Sequence, residues 1–202
     1  DPSDVSVSNT DNDSAGITVN PTSGLVTTEA GGTATFTVVL DAQPGVDVTL
    51  GLSSSDAGEG SVSPPTLTFT NGDWNTPQTV TITGVDDALD DGNIAYTIVT
   101  DPAAGDPAYV GIDPSDVSVS NTDNDAAGIT VSLISGPTTE AGGTATFTVV
   151  LTSQPTADVT VGLSSSDTTE GTVSPASVTF TSATWATPQT VTVTGIDDAL
   201  DD

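Results

Sequence analysis

The chain repeats its own sequence with a period of about 111 residues. DPSDVSVSNTDND at 1–13 recurs at 113–125, and TTEAGGTATFTVVL at 27–40 recurs at 138–151. A period of this length is the size of a domain and is too long for a solenoid repeat. The repeat predicts tandem domains, with the following division. Residues 1–13 are the last strand and joint of a preceding repeat, 14–125 are a complete repeat, and 126–202 are a second repeat that is incomplete within the printed sequence.

Short runs of Val, Ile, Leu, Phe, Thr and Tyr alternate with polar residues and are bounded by Gly, Pro, Asn and Asp. Within the complete repeat these runs predict seven strands, at 16–19, 33–40, 46–52, 66–70, 78–84, 93–100 and 115–120. No stretch has helical periodicity. The expected fold class is all-β, with tandem immunoglobulin-like Greek-key β-sandwich domains of about seven strands each.

The composition excludes several functions. The 202 residues include 28 acidic ones and no Lys, Arg, His or Cys, so the formal net charge is −28. Without cations the chain is not expected to bind nucleic acid or an anionic membrane surface, and it has no apolar run for direct membrane insertion. Zinc sites and nucleophiles based on Cys or His are also absent. A pair of carboxylates hydrolysing glycosides is the remaining enzymatic possibility, and it is disfavoured because the units repeat in tandem. We therefore expect a non-enzymatic protein.

The carboxylates concentrate at one end of the predicted sandwich. If consecutive strands run in opposite directions, the loops after the first, third and fifth strands meet the end of the seventh strand. In the complete repeat these segments carry Glu29, Asp56, Glu59, Asp86, Asp87, Asp90, Asp123, Asn124 and Asp125. The same positions in the other copies are Asp11, Asn12, Asp13, Glu140, Asp167, Glu170, Asp197 and Asp198. Asp91 follows Asp90, and these two residues are the secondary candidates.

Acidic side chains held this closely need a cation. Two like charges ~4 Å apart repel by roughly 1 kcal/mol in water and by several times more near protein. Ca²⁺ takes 6–8 oxygen ligands with irregular geometry, whereas Mg²⁺ demands a tight octahedron and keeps its waters. Zinc and copper prefer ligands that this chain lacks. The sequence therefore predicts Ca²⁺ at these carboxylates.

These motifs resemble the Calx-beta family. The resemblance rests on Glu-Ala-Gly-Gly at the start of the second strand, an Asp closing the third strand and an Asp-Asp pair ending the fifth strand. It also rests on a terminal acidic triplet before Ala-Gly-Ile, which here is Asp-Asn-Asp. The resemblance implies an immunoglobulin-like sandwich with calcium bound at one pole by the carboxylates named above. Tandem copies without basic residues are similar to the form found in bacterial surface adhesins.

We therefore expect a rigid extracellular stalk on a bacterial cell surface, or a filament. Its partners would be neighbouring repeats of the same chain and other copies in a fibre. The alternative is a ligand- or glycan-binding module that uses Trp74 or the loop at 101–113. For Trp74 and Trp185 we favour packing against the end of the core.

Overall fold

The computed structural model of the chain describes residues 1–197. The described residues contain sixteen strands and no helix, so the protein is all-β. None of these residues forms a helix that is long and apolar enough to cross a membrane. By its contacts the chain divides into two compact units, residues 1–86 with 93–122 and residues 87–92 with 123–202.

The first unit is a two-sheet sandwich. Its ten strands are β1 (Ile17–Asn20), β2 (Leu25–Thr28), β3 (Thr33–Leu40), β4 (Val48–Ser54), β5 (Gly60–Ser63), β6 (Thr66–Phe69), β7 (Gln78–Gly84), β8 (Ile94–Thr100), β9 (Ala104–Gly105) and β10 (Val117–Thr122). One sheet has the order β1-β3-β7-β5, and the other has the order β2-β10-β8-β4-β6, with β9 paired to β4. Neighbouring strands are antiparallel except for β2 and β10, which are parallel.

The seven predicted strands of the complete repeat, each with a run of alternating apolar and polar residues, are confirmed. The predicted strands at 33–40 and 78–84 coincide with β3 and β7, and the other five shift by at most two residues. The short strands β2, β5 and β9 were not predicted. Each has four residues or fewer, and each is a strand because a longer strand lies beside it.

Inward-facing residues of β3, β4, β7 and β8 form the core of the first unit. Phe36, Leu50, Ile82 and Ile98 are almost completely buried, as alternation on a half-buried strand requires. Trp74 packs against this core, which confirms the structural role expected for it.

The second unit has a smaller sandwich with the strands β11 (Ile129–Val131), β12 (Thr144–Leu151), β13 (Val159–Gly162), β14 (Gly171–Ser174), β15 (Ser177–Phe180) and β16 (Gln189–Gly195). Its described sheets have the orders β11-β12-β16-β14 and β13-β15. Val149, Phe180 and Val191 are among its buried residues, and Trp185 packs against them. The printed sequence ends before the positions that would correspond to β8 and β10.

Residues 1–13, all of them described, form no strand. Val5 and Val7 are 86% and 87% exposed, whereas Val117 and Val119, the same residues in the second copy of this sequence, are 0% and 4% exposed. The printed sequence has no counterparts of β2 and β8 for residues 1–13 to pair with. Their assignment to a preceding repeat, with the other domain boundaries, stays a prediction.

Candidate metal centre

Parallel pairing of β2 with β10 brings the first acidic residues together. Thr28 and Thr122 are register partners at the ends of these two strands, and the Glu29 N–H donates to the Thr122 carbonyl at 3.1 Å. The next residue along the chain is Asp123. Carboxylate oxygens of Glu29, Asp123 and Asp125 all lie within 4.8 Å of one another. We call these three residues the Glu29 group.

Antiparallel pairing of β5 with β7 builds a second group. Glu59 immediately precedes β5, and its carbonyl accepts a hydrogen bond of 3.0 Å from the Val85 N–H, just past the end of β7. The chain then continues to Asp87 and Asp91. Carboxylate oxygens of Glu59, Asp87 and Asp91 again lie within 4.8 Å of one another. We call these residues the Glu59 group.

Both groups contain one glutamate that is nearly buried. Glu29 is 3% exposed and Glu59 is 7% exposed. A buried carboxylate is strongly disfavoured unless it is paired or coordinates a metal. The chain contains no Lys, Arg or His, so no side chain can supply the positive charge.

A buried polar network supports Glu59. Asn121, only 1% exposed, donates through Nδ2 to Glu59 Oε2 at 3.3 Å and to the Val85 carbonyl at 3.0 Å. Its Oδ1 accepts from Thr27 Oγ1 at 2.9 Å, and the Thr27 hydroxyl is 3.1 Å from the Tyr96 hydroxyl. The network fixes Asn121 in the position from which it donates to the glutamate.

Hydrogen bonds within the acidic loops fix the aspartates. Asp123 Oδ2 accepts from the Gly92 N–H and its Oδ1 accepts from the Asp125 N–H, both at 2.7 Å. Asp87 Oδ1 accepts from the Leu89 N–H, also at 2.7 Å. Such bonds reduce the freedom that these side chains would lose on binding an ion.

The accumulated negative charge affects protonation. Partial desolvation raises the pKa of Asp91 above its ordinary value of 3.8, and the charges of Asp87, Asp123 and Asp90 raise it further. Neighbouring carboxylates therefore make the charged form of Asp91 less favourable, as like charges do. A bound cation would reverse this effect.

The two groups contain five of the nine candidates that the sequence predicts for this repeat, together with Asp91. The other four candidates are Asp56, Asp86, Asp90 and Asn124. Asp56 Oδ1 accepts from the Gly58 N–H at 2.9 Å, and Asp90 Oδ2 accepts from the Ala127 N–H at 2.8 Å. The acidic stretch 86–91 pointed to Asp91 without separating it from Asp90. The support from Asn121 carried no sequence signal, because it depends on contacts between distant segments.

The candidates in the other copies are placed differently. Among residues 1–197, Glu140, Asp167, Glu170 and Asp197 belong to no acidic group of this kind, and neither do Asp11, Asn12 and Asp13. Asp198 lies outside the described residues. Glu140 and Glu170, the counterparts of Glu29 and Glu59, are both exposed. Asp11 and Asp13 line a cavity with Ala15, Gln43 and Tyr109.

Comparison with known proteins gives structural likenesses only. No family model and no curated protein sequence matches the chain. The apo form of the Calx CBD1 domain is 16% identical with a TM-score of 0.42, over 54% of this chain and 96% of that one. The calcium binding domain CBD12 of CALX1.1 is 17% identical with a TM-score of 0.44, over 71% and 61%. SSP-19, an MSP-domain-like protein of Caenorhabditis elegans, is 19% identical with a TM-score of 0.38, over 52% and 99%.

Proposed function

We propose that this chain is a non-enzymatic structural repeat that Ca²⁺ stabilises, and that it forms part of a rigid stalk of a bacterial cell-surface adhesin or of an extracellular filament. The observation that carries the proposal is the pair of acidic groups. Each contains a nearly buried glutamate and two aspartates at ligand spacing, in a chain without any cationic side chain.

The donor set fits calcium. Glu29, Asp123 and Asp125 would hold one ion, and the Glu59 group would hold a second. All six ligands are carboxylates, which suit Ca²⁺ and offer nothing to a metal that prefers sulfur or nitrogen. A bound ion supplies the positive charge that the chain lacks and offsets repulsion among the carboxylates.

The position of Asp123 and Asp125 in the sequence connects ion binding to stiffness. They follow β10 directly and precede Ala126-Ala127, the short linker to the second repeat. Ligation of both aspartates would fix the last residues before this linker. The partners proposed are therefore neighbouring repeats of the same chain, and other copies if stalks associate laterally. The proposed location is extracellular, at the cell surface.

The alternative, a ligand- or glycan-binding module that uses Trp74 or the loop at 101–113, has no support at Trp74. Trp74 packs against the core of the first unit and is partly buried there. A ring used in this way supports the fold and is a poor stacking platform for a sugar.

Thermal unfolding of the whole chain in Ca²⁺, in Mg²⁺ and in chelator tests the proposal. One site with free calcium at 100 times its dissociation constant adds ~2.7 kcal/mol to stability, so calcium should raise the melting temperature of the first repeat by roughly 10 °C or more. Magnesium should give a much smaller increase. Equal melting temperatures in calcium and chelator would refute calcium stabilisation.

A further inference from the structure

Strand β6 lies at the edge of its sheet, so one side of its backbone has no neighbouring strand. The Leu52 N–H donates to the Pro65 carbonyl at 2.9 Å, which makes these residues a hydrogen-bonded pair that continues the antiparallel register of β4 with β6. Such pairs alternate along the strands with pairs whose N–H and C=O groups point away from the partner strand. Thr68, paired with Thr49, is three residues from Pro65 and belongs to the second kind. Its N–H and C=O groups therefore point to the free edge.

A glutamine side chain covers the middle of this edge. Gln78 Nε2 donates to the Thr68 carbonyl at 2.7 Å. Gln78 is half-buried at the start of β7, in the inward-facing row that continues with Val80 and Ile82. A polar group removed from water costs free energy unless it is hydrogen-bonded. The Thr68 carbonyl supplies that bond, and the amide in turn occupies the place where the backbone of an added strand would lie.

The second repeat contains the same contact at the edge of β15. The Leu163 N–H donates to the Ala176 carbonyl at 2.8 Å, so by the same alternation Thr179 directs its C=O group away from β13. Gln189 Nε2 donates to this carbonyl at 2.6 Å. The contact therefore recurs in a unit whose second sheet, among the described residues, contains only β13 and β15.

The two edge strands have little other protection. Proteins commonly guard a sheet edge with charged side chains, above all Lys, or with proline within the strand. Thr66–Phe69 and Ser177–Phe180 contain neither, and the chain has no Lys at all. Their shortness, four residues each, is a protection of its own. Tandem repeats of similar sequence offer one another matching strands, and misassembly between them is a typical failure.

We propose that Gln78 and Gln189 are edge-capping residues, which keep β6 and β15 from pairing with the same strands of a second copy of this chain. An antiparallel pair of two β6 strands centred on Thr68 would use the N–H and the carbonyl of Thr68 from each copy. The Gln78 amide already occupies that carbonyl. Gln189 acts in the same way on Thr179 in β15.

This inference goes beyond the proposed stalk function and does not rest on it. The cap consists of a side-chain amide and a backbone carbonyl, so calcium has no part in it. Its role in any assembly of copies would be to leave their association to other surfaces.

Removal of the caps tests the proposal. The double variant Gln78→Ala, Gln189→Ala is compared with the unchanged chain by sedimentation velocity over a range of concentrations. The buffer contains high salt, because repulsion between chains with a formal charge of −28 would otherwise oppose association. The matched control is Thr79→Ala, Thr190→Ala, which changes the next residues of the same two strands, both of them exposed.

We expect the double variant to associate at least about ten-fold more strongly than the unchanged chain, because the carbonyls of Thr68 and Thr179 become available for hydrogen bonds. Gln78→Ala alone opens one edge and should stop at a dimer, since pairing of two identical edges closes a two-fold assembly. Gln78→Lys, Gln189→Lys supplies a donor and a charge at each edge and should stay monomeric. The threonine control should behave like the unchanged chain.

Hydrogen exchange locates the contact between copies. In the Gln78→Ala dimer the Thr68 N–H should exchange more slowly than in the unchanged chain, since it then donates to the second copy. Gln189→Ala, followed at the Thr179 N–H, tests the same expectation in the second repeat if Gln78→Ala does not fold. Melting temperatures are measured first, and association is measured well below them, so that aggregation of unfolded chains is not counted.

Two results would overturn the proposal. One is a folded variant without its glutamine that stays monomeric, or that associates without slower exchange at the threonine N–H. The other is equal association by the threonine control or by the lysine variant, because the free carbonyl would then not be the cause.

Discussion

The two glutamates of the first repeat and their copies in the second repeat differ in environment, although their local sequences are nearly the same. Glu29 and Glu140 both stand in TTEAGGTATFTVVL, yet Glu29 is 3% exposed and Glu140 lies on the surface. The first repeat contains β8 and β10, and the printed sequence ends before their counterparts in the second repeat. In the first repeat Glu29 follows β2, which pairs with β10, so burial of the glutamate depends on contacts with a distant strand and not on its local sequence.

The sequence DPSDVSVSNTDND likewise has a different structure in each of its two copies. At 113–125 it contains β10, which lies between β2 and β8. At 1–13 it forms no strand, and its valines are exposed. Alternation of apolar and polar residues allows this sequence to form a strand, but the strand forms only where neighbouring strands pair with it.

Substituting the same valine in both copies should give the largest contrast. Val117→Asp places a charge in the core and is expected to cost more than about 4 kcal/mol, enough to unfold the first repeat. Val5→Asp should leave stability within ~0.5 kcal/mol. Near-ultraviolet circular dichroism can follow the first repeat, since both tyrosines of the chain lie there. A comparable loss from both substitutions would show that residues 1–13 are also packed.

The two glutamates should differ in their effect on calcium stabilisation. Glu29→Gln removes one charged ligand from the Glu29 group and should abolish that group's share of the calcium-dependent stabilisation, ~2.7 kcal/mol for one site at 100 times the dissociation constant. Glu140→Gln should leave that stabilisation unchanged. Melting curves of the two variants with and without calcium measure the difference. An equal loss of calcium-dependent stabilisation in Glu29→Gln and Glu140→Gln would contradict the assignment of Glu29 as a ligand.

The buried network around Asn121 should give an intermediate effect. Asn121→Ala leaves the Thr27 hydroxyl without its acceptor and the Val85 carbonyl without its donor, at a cost of ~1–3 kcal/mol. It should also weaken calcium binding by the Glu59 group, because Asn121 donates to Glu59. Asn9→Ala, the matched change in the exposed copy, should affect neither stability nor binding. Denaturant unfolding measures the free energy of unfolding, and calorimetric titration measures the affinity for calcium.

The smallest effect concerns a turn that the two repeats stabilise differently. The N–H and then the hydroxyl of Thr70 lower the pKa of Asp73 below its ordinary value of 3.8, whereas in the second repeat the Thr181 N–H donates to the hydroxyl of Thr184. Because the folded pKa of Asp73 is lowered, its contribution is present above about pH 3.8 and is lost as pH falls through the folded value.

Asp73→Thr copies the second repeat and should slightly flatten the decrease in melting temperature below about pH 3.8. The melting temperature of the second repeat should keep its pH dependence. A steeper decrease in the variant would contradict the assigned role of Asp73.

The long strands could be predicted from the sequence, because they follow from a local pattern, whereas the acidic residues as a ligand set stay a prediction. Two-residue alternation locates β3 and β7, whereas Glu29 meets Asp123 through the pairing of β2 with β10, and Glu59 meets Asp87 through the pairing of β5 with β7. The rest depends on pairing across the fold. Strand β2 forms beside β10. The sequence around Asn121 does not predict its hydrogen bond with Thr27, or the contact between the hydroxyls of Thr27 and Tyr96.

A crystal structure of the chain grown with excess calcium is the most direct test of calcium binding at the two acidic groups. We expect an ion bonded at 2.3–2.6 Å to oxygens of Glu29, Asp123 and Asp125, and a second ion bonded to the Glu59 group. Well-ordered carboxylates in both groups, with no cation between them, would contradict it.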